Sequence, residues 1–217
     1  MWSEMFDLFV SSFWETLIMV GISGLIGAVV GVPLGVLLYL TDRNGVLQNL
    51  PTNRVVGIIV NAVRSTPFII LLVAVIPFTR LIVGSSIGTM AAVVPLTIAA
   101  APFVARLVET ALREVDRGLI EAAQSMGATT GQIVMKVLLP EALPGIVAGL
   151  TITFVSLVGY SAMAGAIGGG GLGDLGIRYG YQRFLPEVMI TVVLILIVFV
   201  QLVQTFGDWL VRRLSHK

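Results

Sequence analysis

The longest polar loop of this chain contains, at residues 121–140, the sequence EAAQSMGATTGQIVMKVLLP. The loop stands out because most of the surrounding sequence is apolar. Of the 217 residues, 57% are hydrophobic and 12% are charged, and the mean hydropathy is +1.00. A soluble domain of this size could not cover so much apolar surface. The composition therefore indicates an integral membrane protein.

Long runs without a charged side chain alternate with polar connections. These runs cover residues 16–41, 81–105, 142–173 and 188–207, and a fifth, 55–79, is interrupted only by Arg64. About 20 apolar residues in a helix cross the hydrocarbon core of a bilayer. We therefore predict an all-α membrane protein with five transmembrane helices, at about residues 16–41, 55–79, 88–110, 142–167 and 186–207. The glycine-rich residues 168–173 are expected to form a flexible connection.

The distribution of Lys and Arg predicts the orientation in the membrane. Five spans place loops 42–54 and 106–141 on the same side as the C-terminal tail, and these segments hold nine Lys and Arg residues. The opposite side holds three, which are Arg80, Arg178 and Arg183. The side with nine is predicted to be cytoplasmic. The N-terminus then lies outside, and the C-terminus lies inside with the tail 211–217 and the loop at about 113–140.

The remaining composition excludes several classes of function. The chain has no cysteine, which excludes disulfides and thiolate-bound metals, and its net charge of +1 gives no basic patch for nucleic acid. His216 is expected to be solvated in the tail, so no metal site and no catalytic residue is predicted. Residues 1–15, rich in aromatic side chains, are predicted to form a short interfacial helix at the outer leaflet. A single transmembrane domain covers residues 13–210.

The polar loop is predicted to form two short helices. Leu119, Ala122, Ala123 and Met126 recur at helical spacing and would share one exposed face, on which the small alanines let a partner approach closely. Gly127 follows where a left-handed helix stop is expected. A second helix is expected at about residues 130–139.

The same loop resembles the EAA loop of ABC importer permeases. That family's pattern is Glu-Ala-Ala, three residues, Gly, nine residues, Ile, any residue, Leu-Pro, and here only Val137, in place of Ile, departs from it. The resemblance implies a type I ABC importer permease bundle whose loop docks on an ATP-hydrolysing subunit. It assigns the ATPase-coupling residues as Glu121, Ala122, Ala123 and Gly127, with Leu139 and Pro140 anchoring the loop to span 4.

Residues 61–68, 159–174 and 178–184 are similar to the methionine-importer permeases. This narrower resemblance implies import of methionine, in both L- and D-forms, across the bacterial inner membrane. It also implies a homodimer of permease copies, two cytoplasmic P-loop ATPase subunits and an external substrate-binding lipoprotein. No Gly-x-x-x-x-Gly-Lys-[Ser/Thr] motif occurs in this chain. ATP and Mg are therefore expected on the partner ATPase, with no cofactor and no enzyme activity in the permease itself.

Span 4 contains the candidate pathway residues. Met163 is the one large flexible side chain among small residues, and two facing copies could close a path, although packing in the core explains it equally well. Ser156, Tyr160 and Ser161 are weaker candidates for the same pathway. Arg64 is the one charge well inside a span, and we interpret it as architectural.

The rival interpretation is an ion-coupled secondary amino-acid carrier or channel. Such a protein would carry an acidic residue or histidine near the middle of a span, and inverted internal repeats. The acidic residues here flank the spans, and no repeat is apparent among the five. A membrane scaffold without transport would leave the EAA spacing unexplained.

Overall fold

The computed structural model describes residues 2–215, and every regular element in that range is helical. Five longer helices are joined by shorter ones. The elements are α1 (Trp2–Thr41), α2 (Leu50–Ser65), α3 (Phe68–Ala74), α4 (Ile76–Val83), α5 (Thr89–Arg113), α6 (Arg117–Ser125), α7 (Thr130–Ile133), α8 (Leu139–Ala164), α9 (Gly171–Leu175) and α10 (Pro186–Leu214). Turns of π-helix at Val134–Leu138, Gly165–Gly169 and Gly176–Tyr181 connect α7 to α8 and flank α9. His216 lies outside the described residues.

Helix α1 packs along α5 more extensively than any other pair of helices. Gly31 and Gly35 make this possible, because a methyl group added to either would lie 2.6 Å from a backbone carbonyl oxygen of α5. Residue numbers rise together along the seam, from Gly27 beside Ala100 to Gly35 beside Val108, so the two helices are parallel. Small residues at this spacing bring helix axes close together where no hydrophobic force acts between helices.

The bundle has two distinct ends. The loop end carries residues 42–49 and 114–138, and an ion pair of 2.9 Å between Asp42 and Arg113 joins the ends of α1 and α5 there. The glycine end carries residues 84–88 and 165–185. Helix α8 runs antiparallel to α5, so the chain crosses between the ends in alternating directions, as five spans require. The assignment of the loop end to the cytoplasm stays a prediction.

The second span is broken, which corrects the expectation of one helix over residues 55–79. Helices α2 and α3 meet at an angle of 107° at Thr66 and Pro67. Proline lacks the N–H that would continue the helix and pushes the preceding residue into an extended conformation, and Thr66 has ψ of 126°. Four helical segments of residues 2–215 are long and apolar enough to cross a membrane, and the bent pair of α2 and α3 brings the number to five if it is counted as one span.

Residues 2–15 form the first turns of α1 and not a separate interfacial helix. No glycine or proline occurs between residues 2 and 20, so nothing in the local sequence ends the helix. The aromatic side chains of this segment include Phe13, whose ring meets that of Phe199 in α10 edge-on, with 5.4 Å between centroids. Contact with α10 holds the N-terminal half of α1 in the bundle.

The glycine-rich segment 168–173 is folded and not a flexible connection. Gly168, Gly170 and Gly171 adopt positive φ angles of 93°, 79° and 77°, which turn the chain back into the bundle. Leu172 and Leu175 are then buried against α1 and α10. The glycines therefore permit a specific sharp turn that lets α9 re-enter the protein.

Two side chains of α1 hold this turn in place. The Glu15 carboxylate accepts a hydrogen bond of 2.6 Å from the N–H of Gly171, and the Thr16 hydroxyl accepts one of 2.9 Å from the N–H of Leu172. These N–H groups would otherwise have no partner at the start of α9. The first span and the glycine end are thereby tied together across 156 residues of sequence.

Candidate coupling surface and translocation face

Helix α6 lies at the centre of the predicted coupling loop and has well-defined ends. The Asp116 carboxylate caps its first turn by accepting a hydrogen bond of 2.8 Å from the N–H of Gly118. The helix stops before Gly127, whose φ of 77° is the left-handed conformation expected there. Thr129 and Gln132 then form a reciprocal capping box that starts α7. The first of the two predicted short helices is present as α6. The second, expected at about residues 130–139, is not a separate helix, because α7 continues through the π-turn Val134–Leu138 into α8 without a break.

The two alanines of the Glu-Ala-Ala sequence point in different directions. Glu121 and Ala122 are exposed at the loop end, whereas Ala123 is only 4% exposed and packs into the chain's own core. The expectation that both alanines share an exposed face is therefore corrected. The reason is that Ile120 and Ala123, three residues apart on α6, are both covered by the bundle. The exposed face of α6 therefore includes Ala122 but not Ala123.

Large apolar side chains extend the exposed face beyond Glu121. Met126 is 81% exposed and Met135 is 66% exposed, and Leu119 is also exposed. Flexible methionines are frequent at surfaces that bind other proteins because they adapt to a partner's shape. Glu121, Ala122, Leu119, Met126 and Met135 together are called the coupling surface below.

Behind the coupling surface, the loop is packed firmly on the bundle. Ile120, Ala123, Ile133 and Leu138 belong to one buried cluster with residues of α5 and α8, including Leu112 and Ala142. Leu139, half-buried, packs on the same cluster, and Pro140 is exposed in the first turn of α8. A displacement of the coupling surface would therefore be transmitted to α5 and α8 through close-packed side chains.

Glu109 is a buried carboxylate that sequence reasoning did not single out. Its side chain is 4% exposed and forms ion pairs of 2.6 Å with Arg106 and 2.7 Å with Arg113. Arg106 also donates to the Asn61 side chain of α2, at 3.0 Å, and Arg113 reaches Asp42. The network joins α1, α2 and α5 at the loop end. The spacing of Arg106, Glu109 and Arg113 at i, i+3 and i+7 places the three side chains on one side of a helix, and this pattern could have predicted the ion pairs from the sequence.

Glu109 also bears on the rival ion-coupled mechanism. A carboxylate that carries ions would be expected near the middle of a span, whereas Glu109 lies four residues before the end of α5. Both of its oxygens are held by arginines. This geometry is that of a structural ion-pair network.

Three of the four candidate pathway residues lie on one face of α8. Ser156, Tyr160 and Met163 follow at i, i+4 and i+7, and this face is accessible from outside the chain, with Met163 46% exposed. Ser161 is 1% exposed and donates to the carbonyl of Val158 at 2.7 Å, so it lies within the bundle. Ser156, Gly159, Tyr160 and Met163 form what we call the translocation face.

Arg64 lies in the last turn of α2, just before the break at Pro67. Its guanidinium is 5.8 Å from the centre of the Phe103 ring of α5. Nearby, the rings of Phe68 and Tyr160 are stacked at 4.7 Å, which joins α3 to α8. Arg64 is therefore next to a residue of the translocation face.

At the glycine end, Arg178 pairs with Asp174 within one turn of the chain. The Arg178 Nε donates to Asp174 at 2.9 Å, and this hydrogen bond raises the pKa of the Arg178 guanidinium. Residues 2–215 contain no group of three or more His, Asp or Glu side chains placed to hold a metal ion.

Comparison with known proteins adds the context of a family. Residues 31–216 match the family described as binding-protein-dependent transport system inner membrane component. The chain is 59% identical over 211 residues to a protein of Vibrio cholerae named probable D-methionine transport system permease protein MetI, covering 97% of this chain and 94% of that protein. It is 61% identical over 158 residues, 73% of each chain, to the D-methionine transport system permease protein MetI of Escherichia coli K12.

The fold agrees with solved structures. The chain matches a structure described as an inward-facing conformation of the MetNI methionine ABC transporter, with a TM-score of 0.96, 56% identity, and coverage of 98% of this chain and 99% of that one. An amino acid ABC transporter crystallised with histidines is 24% identical and has the same fold, with a TM-score of 0.79. This chain therefore belongs to the family of inner membrane components of binding-protein-dependent transport systems, as a multi-pass permease subunit of an ABC importer.

Proposed function

We propose that this chain forms the membrane path of an ATP-driven importer for methionine, taking both the L- and D-forms. The substrate assignment is supported by similarity to proteins named as D-methionine permeases over nearly the whole chain. Two copies of the permease would face each other across their translocation faces, since five spans are too few to enclose a hydrated route. Met163 of each copy would then act as an adaptable apolar gate.

The observation that carries the coupling mechanism is the contrast between the two sides of α6. Its outer side presents Glu121 and Ala122, and its inner side is packed on α5 and α8. We infer that two cytoplasmic ATPase subunits, which bind ATP and Mg, dock on the coupling surface of each permease. Closure of the ATPases on ATP would move both loops and shift the bundle from inward-open to outward-open. An external lipoprotein would deliver methionine at the glycine end.

Site-specific cross-linking tests the docking step. The chain contains no cysteine, so a single introduced cysteine reports on one position. Ala122→Cys should cross-link to the ATPase subunit of the purified complex. The neighbouring Ala123→Cys is the matched control, because its side chain is buried in the permease, and it should not cross-link. Equal cross-linking from both positions, or from neither, would contradict the assigned surface.

A charge reversal tests coupling itself. Glu121→Arg should abolish ATP-dependent uptake in proteoliposomes while the chain still inserts and folds. Asp208→Arg provides the control, since Asp208 is an exposed acid near the end of α10 whose side chain accepts a hydrogen bond from Gln204 of the same helix. Uptake at the wild-type rate by Glu121→Arg would remove the coupling role. Absence of methionine uptake by the wild-type complex would refute the substrate assignment.

A further inference from the structure

A small pocket lies between α2, α3, α5 and α8, beside the translocation face. It has a volume of about 100 Å³, and Arg64, Phe68, Phe103 and Tyr160 are among its lining residues. The Arg64 guanidinium is at one wall, 5.8 Å from the centre of the Phe103 ring. The stacked rings of Phe68 and Tyr160 form another wall. The pocket thus combines one cation with three aromatic rings.

Within residues 2–215, the positive charge in this pocket has no anionic partner. No Asp or Glu lines the pocket, and among residues 2–215 Arg64 forms neither an ion pair nor a hydrogen bond with another side chain. The other arginine facing α2, Arg106, is fully engaged with Glu109 and Asn61. The guanidinium of Arg64 is therefore free to bind an anion that comes from outside the chain.

The depth of Arg64 makes an uncompensated charge costly. It lies 14 residues after Leu50, the first residue of α2 at the loop end. At a rise of 1.5 Å per residue this is about 21 Å along the helix from its start at the loop end, which places Arg64 inside the predicted second span. Ionisable side chains at such depth face a partner or a hydrated route. Here the adjoining route is the translocation face, because Tyr160 belongs both to that face and to the pocket.

We propose that this pocket binds the α-carboxylate of the amino acid in transit, with Arg64 as its anion-binding residue. The inference rests on the proposed function, which supplies the substrate class. A guanidinium matches a carboxylate in two parallel hydrogen bonds. Phe68 and Tyr160 are stacked on each other, so only the ring faces turned away from the stack are open, and an open aromatic face suits the adjoining ammonium group and thioether sulfur. The pocket is large enough for the carboxylate end, and the side chain of the substrate extends over the translocation face towards Met163.

Binding to the permease alone tests this site directly. The full chain is placed in phosphatidylcholine nanodiscs without the ATPase or the binding protein, and L-methionine is titrated by saturation-transfer NMR. Loss of a charge-assisted hydrogen-bonded pair predicts that Arg64→Gln weakens binding by about 10- to 100-fold, with Arg64→Lys intermediate. Arg54→Gln is the matched control, because Arg54 is an exposed arginine earlier in the same helix, and it should bind as the wild type does.

A second ligand separates recognition from a purely structural role. Methioninamide keeps the ammonium and the thioether but lacks the carboxylate. If Arg64 binds the carboxylate, wild type and Arg64→Gln should bind methioninamide equally weakly. A structural role for Arg64 would instead weaken both ligands in parallel in the variant, and that result would overturn the proposal.

Two other outcomes would also overturn it. One is equal binding of L-methionine by wild type and Arg64→Gln. The other is displacement of the ligand by phosphatidylglycerol added to the nanodisc, since Arg64 would then serve a lipid phosphate. Uptake by the complete importer distinguishes this failure from failure of the proposed function. A wild-type complex that imports methionine, with the same KM in Arg64→Gln, refutes only the carboxylate site.

Discussion

Removing the Glu109 carboxylate should destabilise the bundle more than any other change to an acidic residue at the loop end. The side chain is 4% exposed and bridges Arg106 and Arg113 with ion pairs of 2.6 and 2.7 Å. Removing one partner of a buried ion pair costs about 3–5 kcal/mol. The arginines left behind are 24% and 54% exposed, so water screens part of their repulsion. For Glu109→Ala we therefore expect the free energy of unfolding to fall by about 2–3 kcal/mol.

The assay is thermal unfolding of the purified chain, followed by tryptophan fluorescence. For a chain of this length, a change of 1 kcal/mol in the free energy of unfolding shifts the melting midpoint by about 2–4 °C. The midpoint of Glu109→Ala should therefore fall by about 4–12 °C. Asp42→Ala breaks the exposed pair with Arg113 and an exposed hydrogen bond from the N–H of Arg43, and it should lower the free energy of unfolding by at most about 1 kcal/mol. Glu114→Ala, an exposed acid in the following turn, should change the midpoint little. The reasoning is refuted if Glu109→Ala melts within 2 °C of Glu114→Ala, a gap equivalent to about 1 kcal/mol at most.

Three further predictions follow from the packing of single residues. A methyl group at Gly35 would lie 2.6 Å from a carbonyl oxygen of α5, whereas one at Gly21 would meet nothing within 4 Å. Gly35→Ala should therefore lower the free energy of unfolding by about 1–3 kcal/mol, and Gly21→Ala should not lower it. Thermal melts of the two variants compare these effects. Glu15→Ala removes the acceptor for the N–H of Gly171 and should speed hydrogen exchange of that amide, so unchanged protection would argue against the cap. Met163→Ala should raise the ATP-independent leak of methionine from proteoliposomes; an unchanged leak would leave Met163 as a packing residue.

Much of the architecture follows from local sequence. Span number, approximate span limits and the helix stop at Gly127 were predicted from runs of apolar residues and from the placement of glycine. These features depend on side chains within one or two turns of each other, so a linear pattern records them. The break at Thr66 and Pro67 was not predicted, because hydropathy continues undiminished across it, although the proline itself was a sufficient signal.

The candidate sites were recovered unevenly. The EAA spacing drew attention to the loop that carries the proposed coupling surface. It could not show that Ala122 is exposed and Ala123 buried, because that depends on the side from which α5 and α8 approach α6. In span 4 the small-residue tract drew attention to Ser156, Tyr160, Met163 and Ser161 alike. Only the packing of α8 shows that Ser156, Tyr160 and Met163 lie on its accessible face, whereas Ser161 is buried within the bundle.

The sequence by itself determined that the chain spans a membrane, approximately where most of its long helices lie and which long polar loop is exposed at one end of the bundle. Hydrophobicity and helix-ending residues are properties of short segments, and they act before any distant contact forms. The tertiary structure decided which of those segments meet: Glu15 with Gly171, Arg106 with Asn61, and Arg64 with a pocket that includes Tyr160. Each of these contacts joins residues far apart in the chain. They are set by helix crossings that depend on the packing of the whole bundle, which no local pattern encodes.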